Sequence, residues 1–254
     1  MKNLIIAIFL GAILFWSTGC HKPFGIVGNN SPGTETRPMV SFDEVVSDAS
    51  FNVYIIKDTI YEVMVEAETN IIPFVRTMVN GNKLIIDTRE SLTTHYPVNV
   101  YVKTPTVKSV ELNGSGLVFL DSLNVDNLRV ELNGSGDIRG KVNVQTLYMD
   151  LDGSGDIALE ATCFDIESEV NGSGDISLLG EANKGIFTIS GSGDINGFDF
   201  ALKECNAKIR GSGDIYVRVA NLLDANISGS GSIYYIGNPV VNVVVTGSGS
   251  VIKH

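Results

Sequence analysis

Apolar and polar residues alternate along most of the chain beyond residue 100. Clear examples are LRVEL at residues 128–132 and LYMDL at residues 147–151. A period of two is typical of strands that bury one face. No segment beyond residue 100 shows a helical period. The pattern therefore predicts an all-β chain.

The alternating pattern returns at a nearly fixed interval. An aliphatic residue stands two positions before, and another four positions after, the first glycine of each Gly-Ser-Gly triplet. These triplets recur every 18 to 20 residues, beginning at Gly114, Gly134, Gly153, Gly172, Gly191, Gly211, Gly229 and Gly247. A period of this size indicates a solenoid of stacked repeats.

Each repeat reads as a strand, a glycine-rich corner, a second strand and a bend that carries Asn or Gly, such as Asn143 or Asn183. In a stack, each strand pairs with its copy about 4.8 Å away in the next coil. Residues 111–254 are therefore predicted to form a right-handed parallel β-helix of about eight coils.

The Gly-Ser-Gly corners are expected to have a structural role. Corners stacked at strand spacing leave little room for a Cβ atom, and a sharp corner favours positive φ angles, and Gly suits both conditions. The serine hydroxyls can hydrogen-bond to one another along the stack. The repetition is thus predicted to be mainly architectural.

Residues 39–110 precede the regular repeats and are less periodic. Alternating segments lie at 51–56, 61–66, 83–87 and 98–102, and an Asn-Gly pair separates the second from the third, as in a tight hairpin. An uncovered first coil would expose unpaired strand edges. We interpret this region as an irregular β-rich start that caps or continues the stack.

The N-terminus has the order of a secretory signal: Lys2, an apolar run at residues 4–16, and small residues that end in Cys20. At 13 residues the run is too short to span a bilayer. The small residues before Cys20 resemble a bacterial lipoprotein signal, in which the cysteine is lipidated and starts the mature chain. Ser17 departs from the aliphatic residue usual at its position, so plain cleavage remains an alternative.

The predicted organisation is a lipoprotein-type signal peptide at 1–20, a flexible tether at 21–38 and a folded domain at 39–254. The tether is rich in Gly, Pro, Asn and Thr. His21, rather than Asp, follows the cysteine, which resembles lipoproteins sent to the outer membrane. The predicted location is therefore the cell envelope, with a lipid on Cys20 in the outer membrane. The periplasmic and surface-facing sides both remain open.

FDEVVSDASFNV at residues 42–53, NGNKL at residues 80–84 and the repeated GSGDI carry a family resemblance. Together they resemble the auto-transporter adhesin family with a head GIN domain, over most of the chain after the tether. The resemblance implies a right-handed β-helical envelope protein of Gram-negative bacteria. It brings no set of catalytic residues.

The net charge narrows the choice of partners. The chain has 18 Lys and Arg against 29 Asp and Glu, a net charge of −11, and no cluster of basic residues. Such a balance repels phosphate backbones, so nucleic acid is not expected as a partner. The expected partners are the membrane, through the lipid on Cys20, and a glycan or an envelope protein.

Groups that could catalyse a reaction are sparse. His95 is the one histidine within the predicted folded domain before the last residue, and a lone histidine in a loop before Pro97 is more typical of a surface than of an active site. Cys163 and Cys205 lie about two coils apart, beyond the ~7 Å reach of a disulfide, so both are predicted to be free thiols. No catalytic residue, resident metal or cofactor is assigned.

The strongest candidate for chemistry is a column of carboxylates, one after the second glycine of each of five corners. Its members are Asp137, Asp156, Asp175, Asp194 and Asp214, with Leu117 before them and Ser232 and Ser250 after them. Stacked carboxylates are a candidate cation or ligand site. The pattern differs from the calcium-binding β-roll, in which the repeat is about half as long. The alternative is that each Asp caps its turn and faces solvent.

The favoured function is that of an adhesin-like envelope protein that binds glycan or protein through exposed strand faces. Tyr148, Tyr216, Tyr234 and Tyr235 are candidate contacts. One alternative is a polysaccharide-active β-helix enzyme, although the coils are short and the arginines form no obvious column. A purely structural envelope component is the other alternative.

Overall fold

The alternating segments form strands, as the sequence predicts. A computed structural model describes residues 25–254; the predicted signal peptide, Cys20 and residues 21–24 of the predicted tether lie outside them. The described part contains one short 3₁₀ turn, Ile72–Phe74. Its strands are β1 (Ile26–Val27), β2 (Pro32–Pro38), β3 (Glu44–Ser47), β4 (Asn52–Lys57), β5 (Glu62–Glu68), β6 (Arg76–Asn80), β7 (Lys83–Asp87), β8 (Leu92–Thr93), β9 (Asn99–Thr104), β10 (Ser109–Leu112), β11 (Leu117–Asn124), β12 (Asn127–Leu132), β13 (Asp137–Asn143), β14 (Thr146–Leu151), β15 (Ile157–Thr162), β16 (Asp165–Val170), β17 (Ile176–Ile189), β18 (Ile195–Ile209), β19 (Ile215–Ile227), β20 (Ile233–Ile236), β21 (Val240–Val245) and β22 (Val251–Lys253).

These strands stack into two parallel faces of a β-solenoid. The first face follows the order β7, β3, β10, β12, β14 and β16, then the second halves of β17, β18 and β19, then β21. The second face follows β9, β4, β11, β13 and β15, then the first halves of β17, β18 and β19, then β20 and β22. The predicted all-β parallel β-helix of about eight repeat coils is confirmed.

Inward side chains form aliphatic columns that run the length of the stack. On the second face, equivalent positions pair in register, so that Ile138 lies beside Ile157 and Ile157 beside Ile176. Nine residues of this column are at most 1% exposed: Val100, Val53, Val118, Ile138, Ile157, Ile176, Ile195, Ile215 and Ile233. Full burial of one such side chain contributes about 1.5–3 kcal/mol. The columns hold the rod together and leave the outward positions free for other roles.

The N-terminal region both continues and caps the stack. We call one strand on each face a rung. The rung of β3 and β4 lies in parallel against β10 and β11 on one side and against β7 and β9 on the other. Beyond β7 and β9, the strands β6, β5 and β2 pair in antiparallel fashion and cover the end. The rung of β3 and β4 comes first along the chain but is the second rung from the capped end, behind β7 and β9.

The structure corrects the predicted tether for residues 25–38. β1 pairs with β8, and β2 pairs along its whole length with β5. Arg37 donates hydrogen bonds to the carbonyl oxygens of Val75 (2.7 Å) and Ile72 (3.1 Å). β2 is an edge strand that begins and ends with Pro and is held mainly by polar contacts, so no buried apolar pattern marks it in the sequence.

The Gly-Ser-Gly corners need glycine because successive coils approach closely. A Cβ atom on Gly153 would lie 1.8 Å from the carbonyl oxygen of Gly134 in the preceding coil. The predicted lack of space is confirmed, but the predicted positive φ is wrong. In the described chain the glycines with positive φ are Gly25, Gly81, Gly140, Gly180 and Gly237, and all lie outside these corners.

Main-chain hydrogen bonds join one corner to the next. The amide of Ser154 donates to the carbonyl oxygen of Gly134 at 3.0 Å, and the amide of Ser173 donates to that of Gly153 at 3.0 Å. The predicted ladder of serine hydroxyls is represented among residues 25–254 by one pair, Ser50 and Ser115, whose Oγ atoms are 2.8 Å apart. The amides, more than the hydroxyls, therefore bind the corners together.

Candidate functional site

The five aspartates predicted as a column do lie above one another, and each bonds to the next. The Oδ1 atoms of Asp137, Asp156, Asp175 and Asp194 accept the main-chain N–H of the next aspartate at 3.3, 3.0, 2.8 and 2.7 Å. Oδ1 of Asp214 accepts the N–H of Ser232 at 2.6 Å. We call this arrangement the aspartate ladder.

The ladder exists because the main chain turns at this position. The carbonyl oxygen of Asp156 accepts from Ile138 of the preceding coil, and the N–H of Asp156 faces that same coil. The carboxylate of Asp137 supplies the acceptor for this N–H. In this way a side-chain oxygen replaces the carbonyl that a regular ladder would supply, and the main-chain donor is satisfied.

The carboxylates of the ladder also repel one another. Burial raises the pKa of Asp194; the N–H of Asp214 lowers it, and the neighbouring Asp175 and Asp214 raise it further, so the net direction is upward. Within residues 25–254, no group of three His, Cys, Asp or Glu side chains is arranged to hold a metal ion. The structure thus gives the column a hydrogen-bonding role, and cation binding there stays a prediction.

A second candidate site lies on the second face, where one outward column carries aromatic residues near both ends. Towards the capped end, Tyr54 stacks on Tyr101 at 4.9 Å between ring centroids, with Phe119 beside it at 6.3 Å. Towards the other end, Tyr216 stacks on Tyr234 at 5.0 Å, with the rings 8° from parallel. Between these clusters the column carries Arg139, Ala158, Ser177 and Asn196.

The small residues open a groove of about 670 Å³, which we call the second-face groove. Its floor is formed by Ala158, Ser177 and Asn196, and Tyr216 and Phe198 close one end. The outward residues Glu160, Leu179 and Asp199 line its side. Both ring carbons and polar groups therefore face the same space.

Phe198 was not predicted from the sequence, because it lies in a local insertion. The register of β18 and β19 shifts between Gly197 and Ala201, and Phe198 leaves the regular strand there. Its ring meets Tyr216 edge-on at 5.3 Å and stacks on His254 at 5.2 Å. The signal available in the sequence is that the repeat starting at Gly191 is 20 residues long and the one before it 19.

The four tyrosines predicted as contacts lie in three different places in the structure. Tyr216 and Tyr234 are brought together at the groove, whereas Tyr148 is exposed on the first face beside a hollow of about 340 Å³. Tyr235 is half-buried and packs against the core, as its inward alternation predicts.

Burial raises the pKa of Tyr216, and the carboxylates Asp214 and Asp194 raise it further. The Tyr216 hydroxyl donates to Oδ2 of Asp214 at 3.4 Å.

His95 belongs to a structural contact in the cap. Its ring Nδ1 lies 2.9 Å from Oε1 of Glu68, and its amide donates to Oε2 at 2.9 Å. The Asn30 amide also bonds to Glu68, whose side chain is fully buried. Burial by itself raises the pKa of Glu68, but the hydrogen bonds from His95 and Asn30 outweigh it and hold the pKa below its usual value. We call this arrangement the Glu68 clamp.

Cys163 and Cys205, the two cysteines among residues 25–254, are free thiols, as predicted. Cys205 is buried on an inward column, whereas Cys163 is half-buried at a bend, where its amide bonds to Glu181. Burial raises the pKa of Cys163 to about 12, with a further contribution from Asp165, and burial raises that of Cys205 well above its usual value. Both thiols are therefore protonated, and weak nucleophiles, at neutral pH.

Comparison with solved structures finds the same architecture in two proteins of the genus Parabacteroides. A "putative lipid binding protein" from Parabacteroides distasonis is 27% identical, with a TM-score of 0.82, over 90% of this chain and 99% of that one. A "putative adhesin" from Parabacteroides merdae is 24% identical, with a TM-score of 0.81, over 90% of this chain and 98% of that one. A comparison with curated proteins finds no significant match.

No helix among residues 25–254 is long and apolar enough to cross a membrane.

The match to a family model covers most of the described chain. The model for the family described as "Putative auto-transporter adhesin, head GIN domain" matches residues 41–166 and 148–239. These two matches span both the capped N-terminal region and the glycine-rich coils. The chain therefore belongs to this head GIN domain family.

Proposed function

We propose that the protein is a lipid-anchored, adhesin-like component of the bacterial outer membrane, which binds a glycan or a protein through outward side chains of its β-helix. The observation that carries this proposal is the aromatic cluster of Phe198, Tyr216, Tyr234 and His254 beside an open groove. Aromatic side chains with a polar tip are enriched where proteins contact partners.

The position of the groove along the rod supports this role. Gly25 is five residues after Cys20, and β1 pairs with β8, which lies along the chain between β7 and β9 of the outermost rung. Tyr216 lies seven strand spacings from Tyr101 of that rung, or about 34 Å. A lipid on Cys20 would therefore hold the capped end at the membrane and direct the groove away from it.

The titratable groups support binding rather than catalysis. His95 is engaged in the Glu68 clamp, and the two thiols have raised pKa values. The aspartates of the ladder accept main-chain amides, so they are not arranged as an acid and base pair around a cleft. A surface of half-buried rings and polar groups, in contrast, requires no reactive group.

Fractionation of cells that express Cys20→Ser tests the anchor. A lipid contributes about 0.8 kcal/mol per buried CH₂, so its loss should move the protein out of the membrane fraction or leave it uncleaved. Cys163→Ser is the matched control, because it removes a thiol from the folded domain and should leave fractionation unchanged. Equal membrane partitioning of the parent and Cys20→Ser would contradict lipid anchoring.

A glycan array and an envelope pull-down with residues 21–254 test the binding role. We expect a ligand in at least one of them. Shortening of polysaccharide chains during incubation would favour an enzyme instead. The absence of any ligand in both experiments would contradict the adhesin-like role and favour a purely structural component.

A further inference from the structure

We infer that the second-face groove binds a neutral oligosaccharide. This inference rests on the proposed binding function and assigns it a place and a ligand class. It depends on the shape of the groove, the groups that line it and their charge, which are independent properties of the same residues.

The shape comes from a gap in a column of rings. From Arg139 to Tyr216 the outward column spans four strand spacings, or about 19 Å, and its three intermediate members are Ala, Ser and Asn. Tyr216 has Tyr234 on one side along the column and Asn196 on the other. The column position next to Tyr216 on the groove side is thus Asn196 and not a ring, while the Phe198 ring of the same strand meets Tyr216 edge-on. The gap in the column is long enough for a short oligosaccharide.

The lining matches the two surfaces of a sugar ring. The C–H face of a hexose packs well on aromatic and aliphatic carbon, which Tyr216, Phe198 and the 52% exposed Leu179 provide. Its hydroxyls are donors and acceptors, for which Ser177 and Asn196 offer hydroxyl and amide groups in the floor. A few placed polar groups in a largely apolar concavity are typical of small-ligand sites.

The charges select a neutral ligand over an acidic one. Glu160 and Asp199 line the groove, and Asp194 and Asp214 stand at the corner behind Tyr216. Arg139, at the far end of the gap, is paired with Asp137, and Lys141 is paired with Glu160, whereas no ion pair of the described residues involves Asp199. A carboxylate accepts hydrogen bonds from sugar hydroxyls and repels uronic acids, sulfates and phosphates.

The aromatic cluster at the other end of the column has a ring in each of its three strands, and it serves as a comparison for the second-face groove. Tyr101, Tyr54 and Phe119 occupy three successive strands without a gap, and the Tyr101 hydroxyl donates to Glu66 at 3.0 Å. These rings contact one another and leave no gap in the column. This cluster provides the control surface for the test.

The test measures binding of short oligosaccharides of glucose, galactose, mannose and N-acetylglucosamine, with uronic-acid and sulfated oligosaccharides as acidic counterparts. Residues 21–254 are used, first on an array and then by calorimetry with the best ligand. We expect neutral oligosaccharides to bind and the acidic ones not to bind.

Three variants then locate the site. Phe198→Ala removes part of the end wall, and Ser177→Tyr fills the gap in the column; each should weaken binding by at least about tenfold. Phe119→Ala removes an exposed ring from the control cluster and should leave binding unchanged. Circular dichroism and melting temperature check that all three variants are folded, and because the side chains at 177 and 119 are exposed, a folding defect is not expected there.

Each other outcome overturns the inference. Preference for acidic oligosaccharides would contradict the charge argument. Neutral binding that survives both Phe198→Ala and Ser177→Tyr would place the site elsewhere, for example at the hollow beside Tyr148. A protein captured in the pull-down with no glycan bound would reject this inference but leave the adhesin-like function standing, whereas no ligand of any kind would reject both.

Discussion

The two ends of the rod are built in opposite ways. At the capped end, Leu84 of the outermost rung is 0% exposed, and β6 pairs with the edge of β7 and extends the first face beyond it. At the other end, Val243 occupies the equivalent inward column and is 51% exposed. On the second face the contrast is weaker, because Val100 is fully buried and Val251, at the other end of the same column, is half-buried against the core. The same kind of residue is core at one end and surface at the other.

The difference shows that in a solenoid burial depends on the neighbouring rung and not on the side chain alone. Each rung contacts only the rungs on either side, so stability is close to a sum of nearest-neighbour contacts. The capped end closes this series with the antiparallel strands β6, β5 and β2. The last coil has one neighbour, and we expect it to be the least stable part of the described rod.

Lysine substitutions along one inward column should show the largest difference. Val100→Lys and Ile176→Lys place an ammonium among fully buried aliphatic side chains and should each cost several kcal/mol, or a fall in melting temperature of about 10 °C. Val251→Lys should cost about 1 kcal/mol or less, because its side chain can reach solvent past the last coil. Equal melting temperatures for all three variants would show that the ends do not differ.

Alanine substitutions at two equivalent corner glycines should destabilise the protein more in the middle of the rod than at its open end. A Cβ on Gly153 would lie 1.8 Å from Gly134 O, and one on Gly247 would lie 1.9 Å from Gly229 O. Gly153→Ala should cost about 3 kcal/mol, because coils on both sides prevent relief of the clash. Gly247→Ala should cost about 1 kcal/mol or less, because the last coil can move away without disturbing the rest. Chemical denaturation of both variants provides the measurement.

Low pH should open the capped end before the coils. The pKa of Glu68 is lower in the fold than its usual value of 4.5, so the clamp stabilises the fold above that value and loses its effect as the pH falls through the lower, folded value. At a pH well below 4.5, hydrogen exchange of residues 28–38 should speed up while β14 and β15 stay protected. Glu68→Gln should weaken protection already at neutral pH and remove most of the pH dependence.

Glu90→Gln is the matched control for the clamp, because Glu90 is an exposed carboxylate in the same rung region. It should leave the exchange of residues 28–38 unchanged at both pH values. If acid exposed the coils and the cap together, the Glu68 clamp would not be the group that secures the capped end.

The smallest effect is expected from the aspartate ladder, which ends in Ser232 and Ser250 near the open end. Asp194→Asn keeps an oxygen to accept the Asp214 amide and removes a charge whose pKa is raised in the fold. Stability at pH 7 should therefore stay the same or rise by up to about 1 kcal/mol. Calcium should not change the melting temperature of the parent or the variant. A calcium-dependent rise in the parent that the variant lacks would show that the ladder is a cation site.

The fold is most predictable in the repeats, because the same residue type recurs at the equivalent position of each copy. Ile157 lies inward for the same reason as Ile138 and Ile176, so alternation, period and corner spacing all agree. The aspartate column was found for the same reason. The hydrogen bond from each carboxylate to the amide of the next aspartate was not predicted. It depends on the direction in which the main-chain N–H points, and residue types alone do not indicate that direction.

The alternation and the 18-to-20-residue period, by themselves, determined that this chain is a β-helix with its aliphatic columns inside, because a strand buries every second residue and identical corners stack. Tertiary structure alone decided the order of the first rungs and the place of residues 25–38, because antiparallel pairing of β2 with β5 joins segments that share no periodic pattern. It also decided the second-face groove, because Phe198 reaches Tyr216 and His254 only when four coils are stacked.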